Sequence, residues 1–107
     1  MEDRPLIRLK KKTTVDNLWL YILSLLTEGP MYAYEINRRL KNRFDFSVGE
    51  VTAYVVLYKL EKSGYVETEW KNAGRQRKYY KMTKEGEKLL SAGLLLLENQ
   101  LRSLKSR

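Results

Sequence analysis

Two leucine-rich stretches constrain this 107-residue chain more than any other feature. The first runs from a cap at Thr14 or Asp16 to about Thr27. Its Val15, Trp19, Ile22 and Leu26 recur every three or four residues and share one helical face. Leu18 and Leu25 widen that stripe, while Leu20 and Leu23 fall off it, so the helix is apolar around most of its circumference. The second stretch runs from Thr83 to about Lys105. There Leu90, Leu94, Leu97, Leu101 and Leu104 repeat at heptad spacing, thickened by Leu95 and Leu96. That is about two heptads, fewer than the roughly 3–4 that establish a coiled coil unaided. A chain of this length makes one domain. One small domain cannot hide both surfaces, which predicts a homodimer through Leu20, Leu23, Leu90, Leu94, Leu97, Leu101 and Leu104.

Between these stretches the punctuation is clear. Glu28-Gly29-Pro30 ends the first helix, and a second helix spans about Ala33 to Asn42 around Ile36 and Leu40. Ser47-Val48-Gly49-Glu50 has the form of a capping box and predicts a third helix to about Ser63, with Gly64 as its C′ residue. Ala53, Val56, Leu57 and Leu60 form its buried face. Val66–Trp70 and Lys78–Met82 then read as a β-hairpin around a basic turn, with Trp70 packing on Tyr79 or Tyr80. The expected fold is mainly α with a small β-hairpin: a winged helix-turn-helix plus a C-terminal dimerisation helix. The corresponding division is a mobile basic N-terminal arm at 1–13, a winged-helix domain at 14–83 and a dimerisation helix at 84–107.

Charge points to the partner. The chain carries 21 Lys and Arg against 13 Asp and Glu, a net of +8, which suits a polyanion. It has neither Cys nor His, so thiolate and imidazole catalysis are excluded, as are zinc sites of nitrogen and sulfur ligands. No carboxylate cluster suggests metal chemistry, and the expectation is a non-enzyme without cofactor or metal. The N-terminus lacks the order of a signal peptide, and the longest apolar stretch, Leu18–Leu26, is too short for a membrane span. A cytoplasmic, nucleoid-associated protein without a membrane partner is expected.

Three motifs in order resemble the PadR family of winged-helix transcriptional regulators. They are Gly29-Pro30-Met31-Tyr32-Ala33-Tyr34-Glu35-Ile36, then Thr52-Ala53-Tyr54 with Leu57-Tyr58-Lys59-Leu60-Glu61-Lys62-Ser63-Gly64-Tyr65-Val66, and finally Tyr80-Lys81-Met82-Thr83-Lys84-Glu85-Gly86. Gly49-Glu50-Val51 and Val55 depart from the family's Ser-Pro-Gly and Pro, at the end of the third helix that reads DNA. The resemblance implies double-stranded DNA as partner and repression as outcome. The third helix would meet base edges and phosphates through Val51, Thr52, Tyr54, Val55 and Lys59. Arg75, Gln76, Arg77 and Lys78 would form the basic wing. Some members hold a small aromatic effector between subunits, which makes Trp19 a candidate pocket residue, although its place in the stripe makes core packing the default. Two rival readings are a sequence-tolerant architectural chromatin protein and a winged-helix module that docks another protein.

Overall fold

The computed structural model describes residues 3–72 and 74–106; Met1 and Glu2 of the expected arm, Ala73 of the expected turn and Arg107 of the expected dimerisation segment lie outside them. Helix α1 (Arg4–Thr13) is followed by a 3-10 turn, Val15–Asn17, and by α2 (Leu18–Leu26). Strand β1 (Met31–Tyr32) leads into α3 (Ala33–Phe44), then α4 (Glu50–Lys62), strands β2 (Val66–Asn72) and β3 (Gln76–Met82), and α5 (Lys84–Lys105). The sheet is antiparallel in the order β1-β3-β2, with Met31 opposite Tyr80 and Val66 opposite Met82. This is a mainly helical winged helix-turn-helix with a long added C-terminal helix.

Helix α2 is the centre of the molecule. It touches α3, α4, α5 and β3, and its Leu18, Ile22, Leu23, Leu25 and Leu26 are all buried. This corrects the sequence reading of its apolar circumference. Leu23 lies off the main stripe, yet it is 0 % exposed within a single chain and cannot form a subunit interface. Leu20 is half-buried beneath α5, and Leu90 is buried in the same core. A helix surrounded by its own domain needs no second subunit to be apolar all round.

Close packing of α5 depends on two missing side chains. A Cβ on Gly86 would stand 2.2 Å from the carbonyl oxygen of Tyr65, and one on Gly93 would stand 2.8 Å from the Cη2 of Trp19. Thr83 caps α5 by accepting a hydrogen bond from the Gly86 amide at 3.1 Å. From Leu94 onward, every described residue of α5 is exposed.

Three local expectations are corrected. The basic segment is helical from Arg4 to Thr13, with Leu6, Ile7 and Leu9 exposed, rather than an irregular arm. Neither Thr14 nor Asp16 caps α2: the Thr14 hydroxyl donates to the Lys10 carbonyl, and the Asp16 carboxylate meets Lys11 at 3.6 Å and Lys12 at 3.1 Å. The capping box does not form either. Helix α4 starts at Glu50 with Gly49 as N-cap and no side-chain cap bond. Phe46 and Val48 pack against the core, and Phe46 also meets Tyr21 edge-to-face at 5.0 Å. Packing both side chains inward holds the link extended past Ser47. The end of α4 follows expectation: Gly64 has φ +81°, the Tyr65 amide donates to the Leu60 carbonyl, and the Gly64 amide to that of Glu61.

Candidate nucleic-acid interface

Helix α4 buries Ala53, Leu57 and Leu60 and turns its other side to solvent. Val51, Thr52, Tyr54, Val55 and Lys59 are all exposed, Val51 to 77 %. A solvent-facing valine at the start of a helix costs apolar exposure that the domain could have avoided. Tyr58 and Lys62 continue the same face, with the Lys62 ammonium 5.8 Å from the Tyr58 ring centre.

Beside α4 stands the hairpin, tied to Glu61 near the C-terminal end of the helix and sharing a groove with Tyr54. Its strands are longer than the sequence suggested, pairing from Val66–Met82 out to Asn72–Gln76, so Arg75 rides at the end of a two-stranded ridge. Alternation along β3 sends successive residues to opposite faces. Arg77 lies over the ring of Tyr32 at 4.4 Å, on the face where Tyr32 meets Tyr79 edge-to-face at 5.6 Å. A cation held over a ring in this way gains about 0.5–1 kcal/mol at an exposed site and loses rotational freedom before any ligand arrives. Lys78 points to the other face, toward α4, where its Nζ lies 3.4 Å from Glu61 Oε1 and 5.5 Å from the ring centre of Tyr80. The four wing residues are therefore not one uniform cluster.

Between wing and helices runs a groove of about 560 Å³. Its walls are Tyr32, Tyr34, Tyr54, Trp70 and Tyr80 together with Arg75, Gln76, Arg77 and Lys78. Tyr54 is thus brought to the wing residues, whereas Lys59 lines a separate depression with Val15, Trp19, Val56 and Leu89. Trp70 does not pack on Tyr79 or Tyr80 as a ring pair. It stands opposite Lys78, 60 % exposed, because Tyr80 is already buried in the core and Tyr79 is engaged by Tyr32 on the other face.

Sequence reasoning overlooked Tyr32 and Tyr34, which the groove shares through the start of α3. Their alternation about Ala33 was the available signal, but β1 is only two residues long and carries no periodicity of its own. It also overlooked Glu61. A hydrogen bond from Thr68, with the Lys78 ammonium beside it, holds the Glu61 carboxyl below the usual carboxylate range, against the opposing effect of burial. Burial, reinforced by the Glu61 charge, pushes the Tyr80 phenol up, so it stays protonated.

Trp19 is partly buried against the core, its indole N–H donating to Asn17 Oδ1 at 3.3 Å and its ring edge facing Gly93. Among the described residues, no group of three or more acidic side chains is placed to hold a metal ion, and no helix is long and apolar enough to cross a membrane.

An exposed helix end flanked by an arginine-bearing hairpin is what a duplex-binding winged helix presents. Residues 22–92 match the family model described as the transcriptional regulator PadR-like family. The chain belongs to that family. This PadR-like chain is 38% identical over 74 residues to a Lysinibacillus sphaericus protein described as uncharacterized protein X, covering 65% of this chain and 68% of the relative. A transcriptional regulator from Clostridium thermocellum superposes with a TM-score of 0.74 at 32% identity, over 80% of this chain and 87% of that one. A PadR family transcriptional regulator from Eggerthella lenta superposes with a TM-score of 0.78 at 26% identity, over 92% and 84%. The PadR-like chain is accordingly a DNA-binding transcriptional regulator and not an enzyme.

Proposed function

We propose that this regulator binds a pseudo-palindromic double-stranded site as a homodimer and represses transcription by covering the promoter. The observation that carries the reading is the groove in which Tyr54 of α4 and the basic wing meet, with Val51, Thr52 and Val55 exposed on the same helix. Val51 and Val55 suit thymine methyl groups, Thr52 a base edge or phosphate, and Tyr54 and Lys59 phosphates. Arg75 and Arg77 follow the backbone or enter a narrow minor groove, with Gln76 and Lys78 beside them.

The second subunit is argued from α5. Leu94, Leu97, Leu101 and Leu104 are exposed at heptad spacing on a helix of 22 residues, about 33 Å long. The exposed Leu6, Ile7 and Leu9 of α1 add a second uncovered apolar strip. Pairing along these surfaces gives two reading helices, spaced about 34–36 Å apart on successive turns of the duplex. A small aromatic effector would enter beside Trp19, where α2 and α5 meet near that interface.

Selection of genomic fragments by the purified protein tests binding, specificity and half-site spacing together. A recovered two-fold motif with half-sites one turn apart supports the reading; equal affinity for selected and random DNA overturns specificity in favour of a coating protein. Arg75→Ala with Arg77→Ala should weaken binding to all sequences and flatten the plot of log affinity against log salt by roughly 2, at about 0.9 per phosphate. An unchanged affinity and slope would remove the wing from the interface.

A further inference from the structure

Glu61 is an acid placed where an acid works against a polyanionic partner. It sits in the last turn of α4, half-buried, beside Lys78 of the groove wall. Its Oε2 accepts a hydrogen bond from the Thr68 hydroxyl at 2.8 Å, and its Oε1 lies 3.4 Å from Lys78 Nζ. Thr68 belongs to β2 and Lys78 to β3; with Thr68 opposite Tyr80 and Trp70 opposite Lys78, the two are diagonal neighbours on one face. A single carboxylate therefore holds both strands of the hairpin to the reading helix.

The position matters for leverage. Lys78 is three residues from Arg75, about 10 Å along an extended strand, so a rotation of about 20° at the Glu61 contact moves the tip by about 3.4 Å, the axial rise per phosphate of one strand. The same helix carries Val51 and Thr52 at its other end, ten residues or about 15 Å away. We infer that Glu61 is a positioning residue. It braces the wing against α4 and thereby fixes the separation between the residues that meet bases and the arginines that hold phosphates. This inference rests on the duplex-binding reading above.

Charge alone and bracing predict opposite signs, which makes the role testable. If Glu61 acted only through its charge, removing it would release Lys78 to phosphate, tighten binding and steepen the salt dependence by about 0.9. If it braces the wing, removing it frees the tip, and the contacts of Arg75 and Arg77 are lost despite the added positive charge.

The test uses the full chain with Glu61→Ala and Glu61→Gln, and the duplex selected from the genome, titrated across a salt series. Glu61→Ala should bind about five- to tenfold more weakly with a slope shallower by roughly 2. Glu61→Gln keeps an acceptor for Thr68 and should fall between Glu61→Ala and the parent. In DNA-free protein, the backbone amides of 74–77 should lose order in Glu61→Ala, with order parameters falling below about 0.6, while the amides of α2 stay rigid. Tighter binding by Glu61→Ala, or wing amides as ordered as in the parent, overturns the brace. A parent chain that ignores duplex at every salt concentration overturns the duplex reading instead, and the amide measurement then decides the brace by itself.

Discussion

Helices α2 and α5 are both built on leucine, yet Leu23 of α2 has none of its surface exposed while Leu104 of α5 has 83 %. Both are leucine-rich, but α2 carries no charged residue and α5 carries seven, and their surroundings differ as well. Helix α2 is enclosed by α3, α4, α5 and β3, so even its off-stripe residues find protein partners. Helix α5 shares this enclosure only as far as Leu90 and Gly93, and then leaves the domain with Leu94–Leu97, Leu101 and Leu104 uncovered. An apolar helix thus states only that something covers it. Whether the cover is the same chain or a second copy depends on where the helix sits in the order of packing, which composition does not reveal.

The largest effect expected from this contrast is at Leu23. Leu23→Ala should cost about 2–5 kcal/mol of unfolding free energy, because a closely surrounded site cannot collapse around the missing methyl groups. Denaturant unfolding followed by helical circular dichroism measures it. A loss below about 1 kcal/mol would mean that α2 is not the enclosed centre of the domain. The next effect lies on the other helix and in another observable. Leu97→Glu with Leu101→Glu should leave the fold of the subunit intact and shift the proposed dimer toward monomer by more than about tenfold in Kd, since two charges would be buried against a leucine seam. Sedimentation across a concentration series decides it; a double variant as dimeric as the parent moves the interface off α5.

How much of this was legible in the sequence varied with the kind of signal. The stop at Gly64 was readable because a positive φ at a helix end is a local demand that glycine meets alone. The buried face of α4 was readable because Ala53, Val56, Leu57 and Leu60 repeat at helical spacing. Ser47-Val48-Gly49-Glu50 satisfied an equally local rule and failed, because the inward packing of Phe46 and Val48 outweighs one cap hydrogen bond worth about 1 kcal/mol. Helix α1 was missed because its Arg4–Thr13 stretch was read for its charge alone; Pro5 at its first turn and the segregation of Leu6, Ile7 and Leu9 from the lysines were the available signals. Around the groove, Arg75, Arg77 and Tyr54 were legible as candidates from charge and helical phase. Tyr32, Tyr34 and Glu61 were not, since only the pairing of β1 with β3 and the docking of α4 on the hairpin bring them there.

The smallest expected effect falls at Gly93, where the two leucine helices meet. Two terms of opposite sign compete in Gly93→Ala. Replacing glycine inside a helix gains about 0.8–1.0 kcal/mol from reduced backbone entropy. Against it, the new Cβ would lie 2.8 Å from Trp19 Cη2 and 3.0 Å from Leu20 Cδ2, inside the roughly 3.5–4.0 Å separation that carbon atoms prefer. Overpacking of this kind costs about 1–3 kcal/mol, and the indole is held by its bond to Asn17, so it cannot retreat freely. The overlap should win by about 1 kcal/mol, seen as a lower Tm with a changed Trp19 emission in a Trp70→Phe background. A Gly93→Ala chain that gains the whole helical increment would show that α5 stands off from α2. The seam between the enclosed and the uncovered helix would then lie nearer Leu90, adding another turn of α5 to the surface left for a partner.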